Sequence, residues 1–335
     1  MLHNRRFIQV RAPLRLSFVG GGTDFPEYFE RKPGMVVSTT INSFVYVTLK
    51  DMFDTNVRVH HSVIETEAIA SRISHGYART ALEHFGLFKG IEAIMVSDVM
   101  ATGSGLGASS AMMSALAVSG RLLRGQSVPG PEELAQLTIE LEKRAATVGG
   151  WQDQYAVAYG GFNVLRFSGK GVSVEPVALA PEVRADLESR VLLVFTNLAR
   201  HSTPIQTEMV NHVQDGAKEG MLDRMYQAAL AFEAELGGSR PDVTQLGRIL
   251  DETWHLKKDI NPLASNLYVD ELYDLLRGNG IVGAKLTGAG GGGFFVAIAE
   301  NLEAKKSLMY KLYPQYIGMD VRFHDRGTEV LWTST

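Results

Sequence analysis

Three glycine-rich segments limit what this chain can fold into. They are Gly20-Gly21-Gly22-Thr23-Asp24, Gly103-Ser104-Gly105-Leu106-Gly107-Ala108-Ser109-Ser110 and Gly288-Ala289-Gly290-Gly291-Gly292-Gly293. Each adjoins a run of β-branched and aromatic residues of the kind that forms strands. A single such segment reads as a tight turn. Three of them, each beside a strand, point to backbone that comes close to a ligand, because glycine admits conformations and contacts that a Cβ forbids.

The runs between them predict an α+β fold, since strands cluster instead of alternating strictly with helices. Residues 7–19, 36–49, 57–63 and 91–99 read as strands, and 69–86 as a helix. Residues 109–124 carry apolar side chains at helical spacing. Pro131 followed by Glu132 and Glu133 marks a helix start, with proline in the first turn and acids at the positive end of the dipole. That helix is expected to reach about Thr147 and stop at Gly149-Gly150. Residues 160–167 and 190–198 read as strands, 202–278 as mostly helical, and 280–299 as strand, glycine loop, strand. The least patterned stretch lies between about 168 and 190, which predicts two units, 1–180 and 181–335.

The second loop carries the most chemistry. A glycine loop feeding a helix presents free N–H groups and a positive dipole end to an anion such as phosphate. It is not a Walker A loop, for no lysine occurs from Met100 to Ser119. Gly103, Gly105 and Ala108 match a dinucleotide fingerprint in form. The acid expected about 20 residues later is missing, however, because residues 111–131 contain no Asp or Glu.

A formal charge of −4 leaves no basic field for nucleic acid. There is no cysteine, so disulfides, thiolate chemistry and cysteine-ligated zinc are excluded together. Early charges at Arg11 and Arg15 argue against a signal peptide, and no apolar run is long enough to span a membrane. A cytoplasmic protein is expected, acting on small molecules and without membrane or nucleic-acid partners.

Together the three loops resemble the motifs of the GHMP kinases, the family of galactokinase, homoserine kinase and mevalonate kinase. The matching stretches are "APLRLSFVGGGTDF", "GSGLGASSAMMSAL" and "KLTGAGGGGFF", in the family's order. Within the family the chain is most similar to the D-glycero-D-manno-heptose 7-phosphate kinases, which share the segment Gly149-Gly150-Trp151-Gln152-Asp153-Gln154-Tyr155-Ala156 and the Gly160-Gly161-Phe162-Asn163 that follows. One departure is Ala101, which stands where the family usually has proline.

The resemblance implies a two-domain fold, with an N-terminal ribosomal-protein-S5-like domain and a C-terminal ferredoxin-like α+β domain. It implies ATP and Mg²⁺ as cofactors, a sugar or sugar phosphate as the acceptor, and a chain able to form a homodimer. Gly103, Ser104, Gly105, Leu106, Gly107, Ala108, Ser109 and Ser110 would bind the nucleotide. Ser109 and Glu142 would hold Mg²⁺, with Ser110 as the alternative hydroxyl. Asp153 would accept the proton of the acceptor hydroxyl, and Arg15 would keep that carboxylate ionised and stabilise the transferring phosphoryl group. Gly21, Gly22, Thr23, Asp24, Gly150, Gly290 and Gly291 would line the acceptor site, with Asp24 binding sugar hydroxyls. The third loop would face the phosphate loop from across the site, and Lys285 before it reads as structural.

A heptose 7-phosphate would carry a second anion. Arg200, beside His201, is the preferred cation for it, with the pair Lys257 and Lys258 as the alternative. The expected activity is phosphorylation of the C1 hydroxyl of the 7-phosphate to the 1,7-bisphosphate, for nucleotide-activated heptose synthesis. The rivals are a kinase for fucose, galactose or an unphosphorylated heptose, and a non-catalytic sugar and ATP sensor.

Overall fold

The computed structural model describes residues 5–99, 103–198, 203–216 and 218–334. Among these, thirteen strands form two sheets. The first sheet takes β1 (Phe7–Val19), β2 (Gly34–Asp51), β3 (Val57–His60), β4 (Ile64–Glu67), β5 (Ile91–Ser97), β6 (Phe162–Ser168) and β7 (Gly171–Pro176). The second takes β8 (Val191–Phe195), β9 (Ile281–Leu286), β10 (Phe294–Ala299) and β11 (Ile317–Asp320). The last two strands, β12 (Phe323–His324) and β13 (Glu329–Ser334), return to the first sheet, where β12 pairs with β2 and β13 with β1. A division of the chain near residue 180 therefore leaves residues 323–334 with the earlier unit.

β2 is long enough to serve several partners, pairing with β1, β5, β6 and β12 along its 18 residues. Alternate residues of β1 (Val10, Ala12, Leu14, Leu16 and Phe18) are fully buried, as the two-residue period of a strand demands. The second sheet has the order β11-β8-β10-β9 with every neighbour antiparallel. Numbered within that sheet the order is 4-1-3-2, the split βαβ arrangement of a ferredoxin-like unit, which matches the α+β expectation.

The helices are α1 (Pro26–Phe29), α2 (Gly76–His84), α3 (Ala108–Leu123), α4 (Pro131–Arg144), α5 (Gln152–Tyr159), α6 (Pro181–Arg190), α7 (Thr203–Gln214), α8 (Glu219–Leu236), α9 (Val243–Ile260), α10 (Leu267–Arg277) and α11 (Leu302–Leu312). α3 is buried on nearly all sides, and its Ala, Ser and Gly residues let neighbours come close. A Cβ on Gly120 would fall 2.2 Å from the ring of Phe85. Such a helix holds its own N-terminus, and hence the glycine loop before it, in a fixed place.

Three expected boundaries move. The helix predicted over 69–86 divides into a short 3₁₀ turn at Ala70–Arg72 and α2. α4 stops at Arg144, and Ala146 follows in the left-handed region at φ 58°. The strand predicted to 198 ends at Phe195, with Asn197 at φ 56°.

Candidate active site

The second glycine loop winds through three left-handed residues, Gly103, Gly105 and Gly107, at φ 76°, 75° and 74°. Residues with side chains rarely adopt this conformation. Gly107 starts α3 with no side-chain cap, so the first N–H groups of a buried helix have no partner within it. Unpaired N–H groups at the positive end of a helix dipole are the geometry that suits an anion. Of the loop's side chains, Leu106 is fully buried in the core and Ser104 is turned inward. Their contribution to a ligand is backbone only.

Arg15 and Asp153 meet beside that helix end. The Arg15 Nε donates to Asp153 Oδ1 at 2.7 Å, and Nη2 approaches the same oxygen at 2.6 Å. Arg15 is 3 % exposed, while the Asp153 side chain keeps 26 % of its surface open. Arg15 is also tied to the loop: its Nη1 donates to the Gly105 carbonyl, and its own N–H donates to Leu106 O at 2.9 Å. A Cβ placed on Gly107 would lie 3.0 Å from Arg15 Cγ and 3.6 Å from the Asp153 carboxyl carbon. The carboxylate, the guanidinium and the helix N-terminus thus share one spot.

Glu142 on α4 lies buried nearby, accepting from Ser110 Oγ at 2.7 Å and from Gln154 Nε2. Burial pushes its carboxyl up to about 7; the Gln154 and Ser110 donors oppose the rise and the Asp153 charge adds to it. Among the described residues it has no cationic partner. A buried carboxylate with hydroxyl neighbours and no counter-ion fits a divalent cation. The hydroxyl that touches it is Ser110. Ser109, the first choice from the sequence, is exposed and lies beside Tyr77. No group of three or more His, Asp or Glu that could hold a metal occurs among the described residues, so any cation here would rely on phosphate oxygens.

Next to this lies a cavity of about 120 Å³ whose wall includes Arg15, Asp153, Asp24, Gly21, Gly22 and Gly150. Asp24 is 1 % exposed and joins two loops. Its Oδ1 accepts from Gly22 N at 2.8 Å, and Oδ2 accepts from Gln152 Nε2 at 2.9 Å and Gln152 N at 3.3 Å. Burial raises its carboxyl above the usual carboxylate range, and the Gly22 and Gln152 donors pull the other way. Gly150 is required against it, since a Cβ there would sit 2.0 Å from Asp24 Oδ2.

Several expectations are corrected. Thr23 is fully buried, and its hydroxyl is saturated by Gly20 O, Met35 O and Met35 N, so it holds the first loop and offers nothing to an acceptor. Gly290 and Gly291 pack on Ala264, with Gly291 N donating to Ala264 O; Gly288 and Ala289 line the cavity instead. The third loop does not face the phosphate loop across the site. It lies directly on it, with a Cβ on Gly288 falling 2.6 Å from Gly105 Cα and one on Gly293 falling 2.6 Å from Ser104 O. Lys285, expected to be structural, lines the cavity, as do Ser17 and Gln152, which sequence reasoning did not select. Lys257 lines it too, but Lys258 points away to Asp270. Arg200, His201 and Ala101 lie outside the described residues.

A wider cleft of about 760 Å³ runs between α4 and the β6–β7 hairpin. Among its lining groups, Arg166 pairs with Glu175 and Glu233, and Glu132 accepts from Tyr155 and Tyr159. The Asp153–Arg15 pair and the buried Asp24 converge on the smaller cavity instead.

The family model of the GHMP kinases N terminal domain matches residues 44–161, and that of the GHMP kinases C terminal matches residues 225–316. The D-glycero-alpha-D-manno-heptose 7-phosphate kinase of Campylobacter jejuni is 31% identical over 309 residues, covering 86% of this chain and 88% of that protein. The bifunctional fucokinase/GDP-fucose pyrophosphorylase of Arabidopsis thaliana is 27% identical, covering 96% of this chain and 32% of that protein. The crystal structure of a D-glycero-D-manno-heptose 1-phosphate kinase from Bacteroides thetaiotaomicron superposes with a TM-score of 0.77 at 23% identity, covering 99% of this chain and 100% of that one, and so shares the fold.

Proposed function

The chain belongs to the GHMP kinases and is a sugar kinase that uses ATP, and from that premise we propose that it phosphorylates the anomeric C1 hydroxyl of D-glycero-D-manno-heptose 7-phosphate. The observation that carries this reading is the Asp153–Arg15 pair at the N-terminus of α3, facing a cavity of sugar size.

The backbone N–H groups of Gly103–Ser110 cradle the ATP phosphates. Asp153 accepts the proton of the C1 hydroxyl as its oxygen bonds to the γ-phosphorus and the bond to the β-bridging oxygen of ATP breaks, releasing ADP. Arg15 orients Asp153 and meets the charge on the transferring phosphoryl group. Glu142 with the Ser110 or Ser109 hydroxyl would hold Mg²⁺, which would supply charge neutralisation at the phosphates. The 7-phosphate is met by Arg200 or by Lys257, whose amine also donates to Leu286 O at 2.8 Å.

The test is ATP turnover across heptose 7-phosphate, unphosphorylated heptose, fucose and galactose. The 7-phosphate should give the highest kcat/KM, and Arg200→Ala should raise its KM about tenfold or more while sparing the unphosphorylated sugar. A wild-type preference for fucose or galactose would reassign the acceptor.

A further inference from the structure

The cavity wall holds polar atoms that the reaction step just described does not use. Ser17, on β1, is 5 % exposed, and its hydroxyl has no hydrogen-bond partner among the described residues. Gln152 gives its Nε2 to Asp24, which fixes the amide so that Oε1 is left buried and without a partner. Lys285, on β9, is also 5 % exposed. Its amine donates to Phe18 O at 2.6 Å, the carbonyl next along β1 from Ser17, and it forms no ion pair among the described residues. All three residues line the same cavity as Asp153.

Native proteins leave few buried polar atoms unpaired, because each costs its full desolvation. Burying an ammonium without a direct ion pair is costlier still, though the nearby Asp24 charge offsets part of that cost. Burial, and then the Arg15 charge, push the Lys285 amine down to about 7. Such groups persist where a ligand completes them. The set here is one hydroxyl able to donate or accept, one amide oxygen that only accepts, and one amine with donors to spare. A polyol supplies the complement, as each sugar hydroxyl both donates and accepts. A carboxylate-bearing acceptor would set its anion against the amide oxygen.

The geometry points to Ser17, Gln152 and Lys285 as the residues that select a polyhydroxylated acceptor, each bonding a sugar oxygen other than the one phosphorylated. This rests on the sugar-kinase reading but not on which sugar is used.

The decisive variant is Ser17→Ala. It removes a hydroxyl that bonds nothing among the described residues, so a purely structural role predicts unchanged kinetics and an unchanged or higher melting temperature. Selection of the acceptor predicts a KM for the sugar raised roughly threefold to tenfold with the KM for ATP unchanged. Lys285→Met should raise the sugar KM more than tenfold, again sparing ATP. The wild-type acceptor is established first with the sugar panel, so a non-heptose acceptor would sink the heptose reading and leave this test to run on that sugar. Among monodeoxy analogues of the acceptor, one should lose no further affinity on Ser17→Ala. A wild-type sugar KM in folded Ser17→Ala would overturn the proposal. If Lys285→Met does not fold, Ser17→Ala decides alone.

Discussion

Asp153 combines an open face with a fixed position, because Arg15 grips one oxygen while the side chain keeps part of its surface open and lines the cavity. Asp153→Asn keeps the size and loses the base. Turnover should drop roughly 10²–10⁴-fold, while the ATP dissociation constant stays within a few-fold in calorimetry. Near-normal turnover at saturation would remove the base role. Gly105 has a different vulnerability. Its φ of 75° already disfavours a side chain, and a Cβ would fall 2.6 Å from both the carbonyl oxygen and the hydroxyl of Thr287. Gly105→Ala should therefore lower ATP affinity at least tenfold by parting the second and third loops, with sugar affinity less affected; equal affinities in a folded variant would refute this. Asp153, Arg15 and Glu142, singled out in the sequence by their place in motifs, lie near one another in the fold. Thr23, Gly290 and Gly291 were misread because a motif names residues without saying which way each faces. Ser17 was invisible, since one serine in an apolar strand carries no signal until its missing partner is seen.

At the scale of elements, Glu65 fastens β4 to the start of α2. It accepts from Ser74 N at 2.5 Å, Ser74 Oγ at 2.6 Å and His75 N at 3.1 Å, and it lies 2.9 Å from His61 Nε2. Partial burial pushes this carboxyl up, but the donors from Ser74, His61 and His75 outweigh it and hold it down to about 2. A lowered native pKa means that the unfolded chain binds the proton first as pH falls. The stabilisation is complete above about 4.5 and drains away between there and about 2. Glu65→Gln should cost roughly 1–3 kcal/mol at pH 7 in urea unfolding, and the gap from wild type should narrow as pH drops toward 3. A gap independent of pH would show that the carboxylate charge is not what fastens the helix. Long periodic elements such as α3 and β1 were readable from sequence, but their ends were not. α4 stops short of Thr147 because the chain must turn at Ala146 to bring Gly150 against Asp24. Adjacent lysines on α9 diverge because successive residues on a helix point about 100° apart.

For the whole molecule, the two sheets are joined twice, once on the way out and once on the way back. Phe323 is the packing point of the return, with its ring edge-on to Phe162 at 5.7 Å and to Phe18 at 6.4 Å. Phe323→Ala should cost about 3–5 kcal/mol. Hydrogen exchange should show the loss in β1, β2 and β6 while β8 and β10 keep their protection. Weakening of β8 and β10 first would mean that the tail belongs energetically to the second sheet. The crossing of the tail to the first sheet was not visible in the sequence, because no local periodicity tells a strand which sheet to join.

Phe7 and Ser334 are paired across 327 residues, with Phe7 N donating to the Ser334 hydroxyl at 3.1 Å. On a translating ribosome β1 emerges long before β13 has been made. At about 5–20 residues per second the wait is on the order of 15–65 s. Throughout that time one edge of β1 is a bare row of N–H and C=O groups beside an apolar face, open to strands of other nascent chains. The yield of active protein should therefore depend on how fast the message between β1 and β13 is read and on which chaperones hold the first sheet while it waits.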